Sequence, residues 1–140
     1  MTTNNTNILA NIRELLLLFD EVTDLTDTRI RVDGFAESDG TLAAIMLELT
    51  DGDQTNFLGG GAAIVGTLLV TCRSTHEGTR TDMANAVHGV LNGYTGSAGE
   101  GRLCECQRTG TAAGKLYDQD GDETDFYEQR DTYRIVFSVT

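Results

Sequence analysis

Apolar residues recur along this chain with two periods, and each period marks a different kind of element. Ile8, Leu9, Ile12, Leu15, Leu16 and Phe19 fall at the spacing of one helical face, the arrangement by which a helix buries a single stripe. Thr6 or Asn7 stands in front of it, where a short polar side chain can accept an orphaned backbone N–H. Leu17 and Leu18 widen the stripe beyond what a core on one side needs, so the helix is expected to meet a neighbour as well. Asp20 to Thr28 is acidic and threonine-rich and reads as a connection.

Period two then takes over. A short extended piece is expected around Ile30 and Val32, ended by Gly34. A firmer strand runs from Leu42 to Leu49, with Ile45, Leu47 and Leu49 alternating against Met46 and Glu48. Asp51-Gly52-Asp53 has the composition of a turn, and Gln54 to Gly61 closes on three glycines, Gly59, Gly60 and Gly61. A phosphate-cradling P-loop would need Gly-Lys-Ser/Thr opening a helix. No lysine stands there, and strand-like sequence follows, so residues 51–62 are expected to form a loop or arm.

Thr67 to Arg73 is the clearest strand, with Leu68, Val70 and Cys72 on one face and Thr71 and Arg73 on the other. A second helix is predicted from Thr79 or Thr81, with Thr79 and Asp82 as a rough capping pair and Met83, Val87, Val90 and Leu91 as its buried stripe. Gly93 ends it where a left-handed residue is usually required. Arg102 to Arg108 alternates weakly, and Cys104 with Cys106 would point inward. Tyr133, Ile135, Phe137 and Val139 make the C-terminal segment a strand, and the polar stretch 109–128 before it reads as a second loop or arm. Residues 1–140 thus read as one α+β domain, a mainly antiparallel sheet with two helices packed on one face.

Charge narrows the function. The chain carries 22 acidic and 10 basic residues, a net charge of −12, and nucleic-acid affinity depends on neutralising phosphates. The chain is therefore a poor candidate for gripping DNA and a reasonable one for a surface along which DNA slides without sticking. The basic residues are arginines except Lys115. That bias, with abundant Thr and Gly, suits a protein working in high salt, and suits equally an ordinary acidic protein of a GC-rich host. Ile8 to Phe19 contains Arg13 and Glu14 and has neither the length of a membrane span nor the basic start and cleavage pattern of a signal peptide. The expectation is a protein made and used in a cytoplasm, with no membrane partner.

Candidate chemistry is sparse. Cys72, Cys104 and Cys106 lack the spacing of a disulfide framework. A zinc site would have to gather them with His76 and His88 from distant segments, so buried free thiols are expected. Asp118-Gln119-Asp120-Gly121-Asp122-Glu123-Thr124-Asp125 resembles a calcium loop only loosely. Its glycine comes fourth rather than sixth, and Gln129 stands where a bidentate Glu belongs. A solvated acidic loop is the expectation. His76 and His88 are the only near-neutral general bases, and Ser74 near His76 is not a triad signature. No catalytic residue, cofactor site or metal site is predicted.

Several local patterns in this order are nonetheless familiar. Asp27-Thr28-Arg29-Ile30 follows the amphipathic helix, and Val70-Thr71-Cys72 leads to a helix with Ala84, Ala86, Val87 and Leu91 closed by Asn92-Gly93. Asp122-Glu123-Thr124-Asp125-Phe126-Tyr127 precedes Tyr133-Arg134-Ile135-Val136-Phe137. The whole resembles the tail-terminator (tail-completion) family of long-tailed, siphovirus-type phages and related archaeal viruses. The resemblance spans nearly the whole chain in pattern and order, without a short invariant motif that would carry a functional residue across. Family members commonly have prolines after the first short strand and at the start of the next, and this chain has none.

The resemblance implies a non-enzymatic virion protein of the tail-neck region, assembled in the host cytoplasm. Such a protein forms a homo-hexameric ring that stops growth of the tail tube protein. It presents a surface to the head-tail connector or stopper protein, and genomic DNA passes through its lumen without specific binding. A head-completion or other head-tail joining protein of the neck is the alternative. A calcium-binding module would rest on the aspartate loop alone.

Overall fold

The computed structural model describes residues 5–56 and 62–138. Within them the chain runs α1 (Asn5–Leu17), α2 (Asp20–Thr26), β1 (Ile30–Val32), a 3-10 turn (Glu37–Asp39), β2 (Ala44–Asn56), β3 (Ala62–Ser74), α3 (Glu77–Leu91), β4 (Gly96–Ala98), β5 (Gly101–Tyr117) and β6 (Glu123–Ser138). The strands form one sheet in the order β1-β2-β3-β6-β5-β4. Every neighbouring pair is antiparallel except β1 and β2, which run parallel. The sheet is therefore mixed, not purely antiparallel. The cause is the Asp33–Ala43 crossover, long enough to return the chain to the start of the sheet before β2 begins.

Side chains opposite one another across a ladder share a face. Ile45 opposes Cys72, Leu47 opposes Val70, Leu68 opposes Tyr133, Phe137 opposes both Ile64 and Leu103, and Cys106 opposes Ile135. All are buried, and with Ile8, Leu9, Ile12, Leu15 and Leu16 of α1 and Met83, Ala84, Val87 and Leu91 of α3 they form one core. These strand residues make the inner face of the sheet, the face that the helices cover. The expected stripes of both long helices are thus seen. Leu17 and Phe19 pack on the core margin, while Leu18 is 78% exposed.

Four expectations need correction. Asp20–Thr26 is a third helix rather than a connection. Asp20 and Glu21 favour its positive N-terminal end, Val22 and Thr26 are buried one turn apart, and the Thr26 hydroxyl donates to the Val22 carbonyl at 3.2 Å. Asp51-Gly52-Asp53 does not turn the chain. It forms a bulge in β2, between the pairs Thr50–Thr67 and Asp53–Val65, and the strand continues to Asn56; Gly59, Gly60 and Gly61 lie outside the described residues.

α3 starts at Glu77, ahead of Thr79 and Thr81, because Ser74 Oγ accepts the His76 N–H at 3.1 Å and brings the chain into helix early. Cys104 is exposed and only Cys106 is buried. β5 carries a bulge between Leu103, opposite Phe137, and Glu105, opposite Val136. The extra residue shifts the alternation, so Leu103 and Cys106 point inward. Gly93, at φ 78°, ends α3 as anticipated, and its N–H reaches the Cys106 carbonyl at 2.7 Å.

The crossover has no proline to stiffen it and is held by arginines. Arg31 grips the buried Asp39 with Nη2 and, at 3.1 Å, Nε, while Asp39 Oδ2 accepts the Ala36 N–H at 3.3 Å. Arg29 Nε donates to the Ala43 carbonyl at 2.8 Å. The Arg73 guanidinium, on the outer face of the sheet, lies 3.9 Å from the Phe35 ring centroid and 4.4 Å from that of Phe126. Hydrogen bonding from Arg31 holds the Asp39 carboxyl below its ordinary range against the opposing effect of burial.

A lowered carboxylate pKa stabilises the fold above the unfolded value, near pH 4, and the gain is lost as pH falls through the folded value. Asp39→Asn is expected to cost about 2 kcal/mol at pH 7, discounted because Arg31 is partly solvated. The variant should also show a shallower loss of stability below about pH 4 than the parent. Urea unfolding at pH 7 and along an acid series checks both.

A candidate assembly surface

β3 ends at Ser74, opposite Tyr127, but β5 and β6 continue to the Tyr117–Glu123 pair. Residues 109–128 therefore project past the sheet as a two-stranded arm. On its free side, β4 covers β5 only from Gly101 to Leu103. The Gly93 N–H then meets Cys106 O, and the Arg108 N–H meets Asn92 Oδ1 at 3.0 Å. Among the described residues, nothing pairs with that edge from Thr109 to Tyr117. The outer surface of the arm holds a shallow trough floored by Ala112, Gly114 and Leu116 and flanked by Glu128 and Arg130.

The inner face is polar and built around two anchors. Asp131 is 2% exposed; its carboxylate accepts from Thr111 Oγ1 and from Gln129 Nε2, and Arg108 Nη1 stands 4.0 Å away. Further out, Lys115 Nζ lies 4.3 Å from the centroid of the Tyr127 ring, which the Arg80 guanidinium approaches to 5.9 Å. Arg80 reaches this place because it occupies the buried side of α3. Its side chain is 8% exposed, and its Nε has no partner among the described residues. The helices do not cover the β5 side of this ledge, where Arg108, Thr111 and Ala113 are exposed. Sequence alone signalled none of this, because the inward direction of Arg80 depends on where α3 begins.

The tip of the arm explains the aspartate-rich motif. Asp118 Oδ1 accepts the N–H groups of Asp120 and Asp122 at 2.9 and 3.0 Å, and Gly121 takes φ 83°. That carboxylate oxygen is committed to the turn itself, an Asx arrangement that needs no cation. No group of three or more His, Cys, Asp or Glu able to hold a metal occurs among the described residues.

The remaining candidate side chains are dispersed. His76 precedes the first residue of α3, with Nδ1 3.2 Å from Thr75 Oγ1. His88 lies near the opposite end of α3, its Nδ1 3.4 Å from the Tyr133 hydroxyl. Ser74 Oγ is occupied by backbone and pairs with neither imidazole. Burial raises the thiol pKa of Cys72, with Asp131 adding to the effect, and pushes Cys106 up to about 12.

No family model matches the chain, and no curated protein matches it in sequence. Among solved structures, the chain has the fold of a component of the virion of a native gene transfer agent particle. The TM-score is 0.66 at 18% sequence identity, and the match covers 94% of each chain. At that identity the likeness is one of fold.

A thiol reagent should discriminate sharply among the three cysteines. Native protein is expected to label at Cys104 alone, with Cys72 and Cys106 reacting only after unfolding. Peptide mass mapping after a short alkylation reads the outcome, and rapid native labelling of Cys72 would contradict the packing described.

Proposed function

We propose that the protein is a structural component of a virion, built into the particle as one of many subunits. The observation that carries this reading is the fold shared with a virion-particle chain over 94% of both lengths. The projecting arm supports it, because a strand pair with an uncovered polar face and an open edge suits contact with another chain.

Within that reading, the protein is a tail terminator. Six copies form a ring on the head-proximal end of the tail tube, cap its last interface and offer the connector or stopper protein a different surface. An open head-to-tail stack grows until a subunit arrives that does not present the next interface. The arm and the 51–62 region are the segments that reach the tube below or the connector above. A net charge of −12 lets DNA pass a lumen without adhering. The ring acts as a gasket, without turnover.

The test is assembly. Light scattering on the purified chain, alone and with tail tubes, should find particles of six times the 15.1 kDa chain mass. Tubes grown in its presence should stop lengthening. Binding to connector rings with no effect on tube length would instead make it a head-completion protein. A monomer indifferent to tubes and connectors would sink the terminator reading and its neck-protein alternative.

A further inference from the structure

We propose that the inner ledge of the arm receives α2 of a second copy of this chain, joining subunits head to tail through opposite charge. This deepens the ring reading and rests on it.

The ledge gathers Arg80, Arg108 and Lys115 around Tyr127 and Asp131. These are three of only ten basic residues, including the chain's one lysine. Lys115 meets no carboxylate among the described residues and sits against the Tyr127 ring. Arg80 is more than nine-tenths buried with its Nε unpartnered, and its one carboxylate contact, to the 67% exposed Glu77, is 3.7 Å long. The cations therefore outnumber the charges that answer them. Thr111 and Ala113, the exposed residues between them on β5, are small and leave room for a packed element to approach.

The complementary surface is α2. Asp20, Glu21 and Asp24 are exposed, as is Asp27 just past its end, and none of them meets a cation among the described residues. Leu18, 78% exposed, directly precedes this helix and supplies an apolar contact beside the charges. Complementary charge left unanswered within the chain makes another copy the partner. α2 leads through Thr28 and Arg29 into β1 and packs beside α3, the helix that carries Arg80 of the ledge. Even so, among the described residues none of the α2 acids meets Arg80, Arg108 or Lys115, so both sets of charges are left to a second copy. Two different, complementary surfaces on one chain make a heterologous interface, which closes into a ring when the rotation between copies permits. DNA is the wrong occupant for a chain this acidic.

Charge exchange tests the contact on the full-length protein. The ring fraction is followed against protein concentration by light scattering for the parent, Lys115→Glu, Ala113→Glu, Asp24→Lys and the double variant K115E/D24K. Each single change should raise the concentration for half-assembly about tenfold or more, and the double variant should recover most of the loss. Ala113→Glu removes no internal contact, so it keeps the test sound if Lys115→Glu disturbs Tyr127. Melting curves at monomer concentrations should match the parent. Parent rings that survive both ledge variants, or a double variant no better than the singles, would overturn the α2 contact and leave the ring reading standing. A parent that forms no ring with or without tubes overturns both.

Discussion

β3 and β6 pair without a slip from Ala63–Ser138 to Ser74–Tyr127, and most of the molecule follows from that register. Side chains alternate strictly across a strand, so the pairing puts Tyr133, Ile135 and Phe137 under the helices and turns Arg130, Thr132 and Arg134 away. A slip of one residue would drive two arginines into the core. The same parity continues where the core gives out. It places Tyr127, Gln129 and Asp131 on the helix side of a region with little apolar surface to cover them. The polar ledge of the arm is thus a consequence of the core register, carried past the buried Asp131 to Gln129 and Tyr127, which are only half-buried.

How much of this could be read in advance tracks how much of it depends on period alone. α1, the body of α3 and the inner rows of β2, β3 and β6 follow from apolar spacing, because each buries a regular stripe. What escaped depends on irregularity. A single extra residue at Cys104 inverts the expectation for one cysteine of a pair. α2 was hidden because its buried side needs only Val22 and Thr26, with Leu25 at the margin, amid acids and threonines. The strands of the arm leave no mark in the sequence, because a two-stranded ribbon with both faces wet has no apolar alternation to display. Its turn chemistry, Asp118 to Gly121, was visible but had two meanings, and only the backbone geometry selects the hairpin.

Charge is distributed with a logic that the net value conceals. Several arginines are spent on backbone carbonyls and rings: Arg13 on the carbonyls of Ile30 and Thr28, Arg29 on Ala43, Arg73 on Phe35 and Phe126. Carboxylates are left in excess on α2 and at the tip of the arm. Arg31–Asp39 is the ion pair with a deeply buried carboxylate and an arginine bound through two nitrogens. Exposed pairs such as Arg130–Glu128 contribute little in water and less in salt. Stability therefore resides in the apolar inner face and the arginine-held crossover, and the surface acids are free to act between molecules.

The distribution of bulges argues for which part of the arm does so. β6 and β3 have none between them, whereas the β5–β6 ladder shifts at Leu103/Glu105 and Arg108/Gly110, with the extra residue in β5, and at Lys115/Tyr117, with the extra residues in β6. The last two bracket the open edge. Bulges bend an edge strand and interrupt its ladder, which is how sheets discourage uncontrolled strand addition. An added strand would find only a short regular run there, between Gly110 and Lys115. The inner face suffers no such penalty, because from Gly110 to Lys115 the pairing with β6 is regular and holds Thr111 opposite Asp131, Ala113 opposite Gln129 and Lys115 opposite Tyr127. A subunit that must join its neighbours in fixed number and not grow into fibres is better served by side chains on a rigid face than by an edge that accepts any strand. That contrast favours docking on the ledge over extension of the sheet.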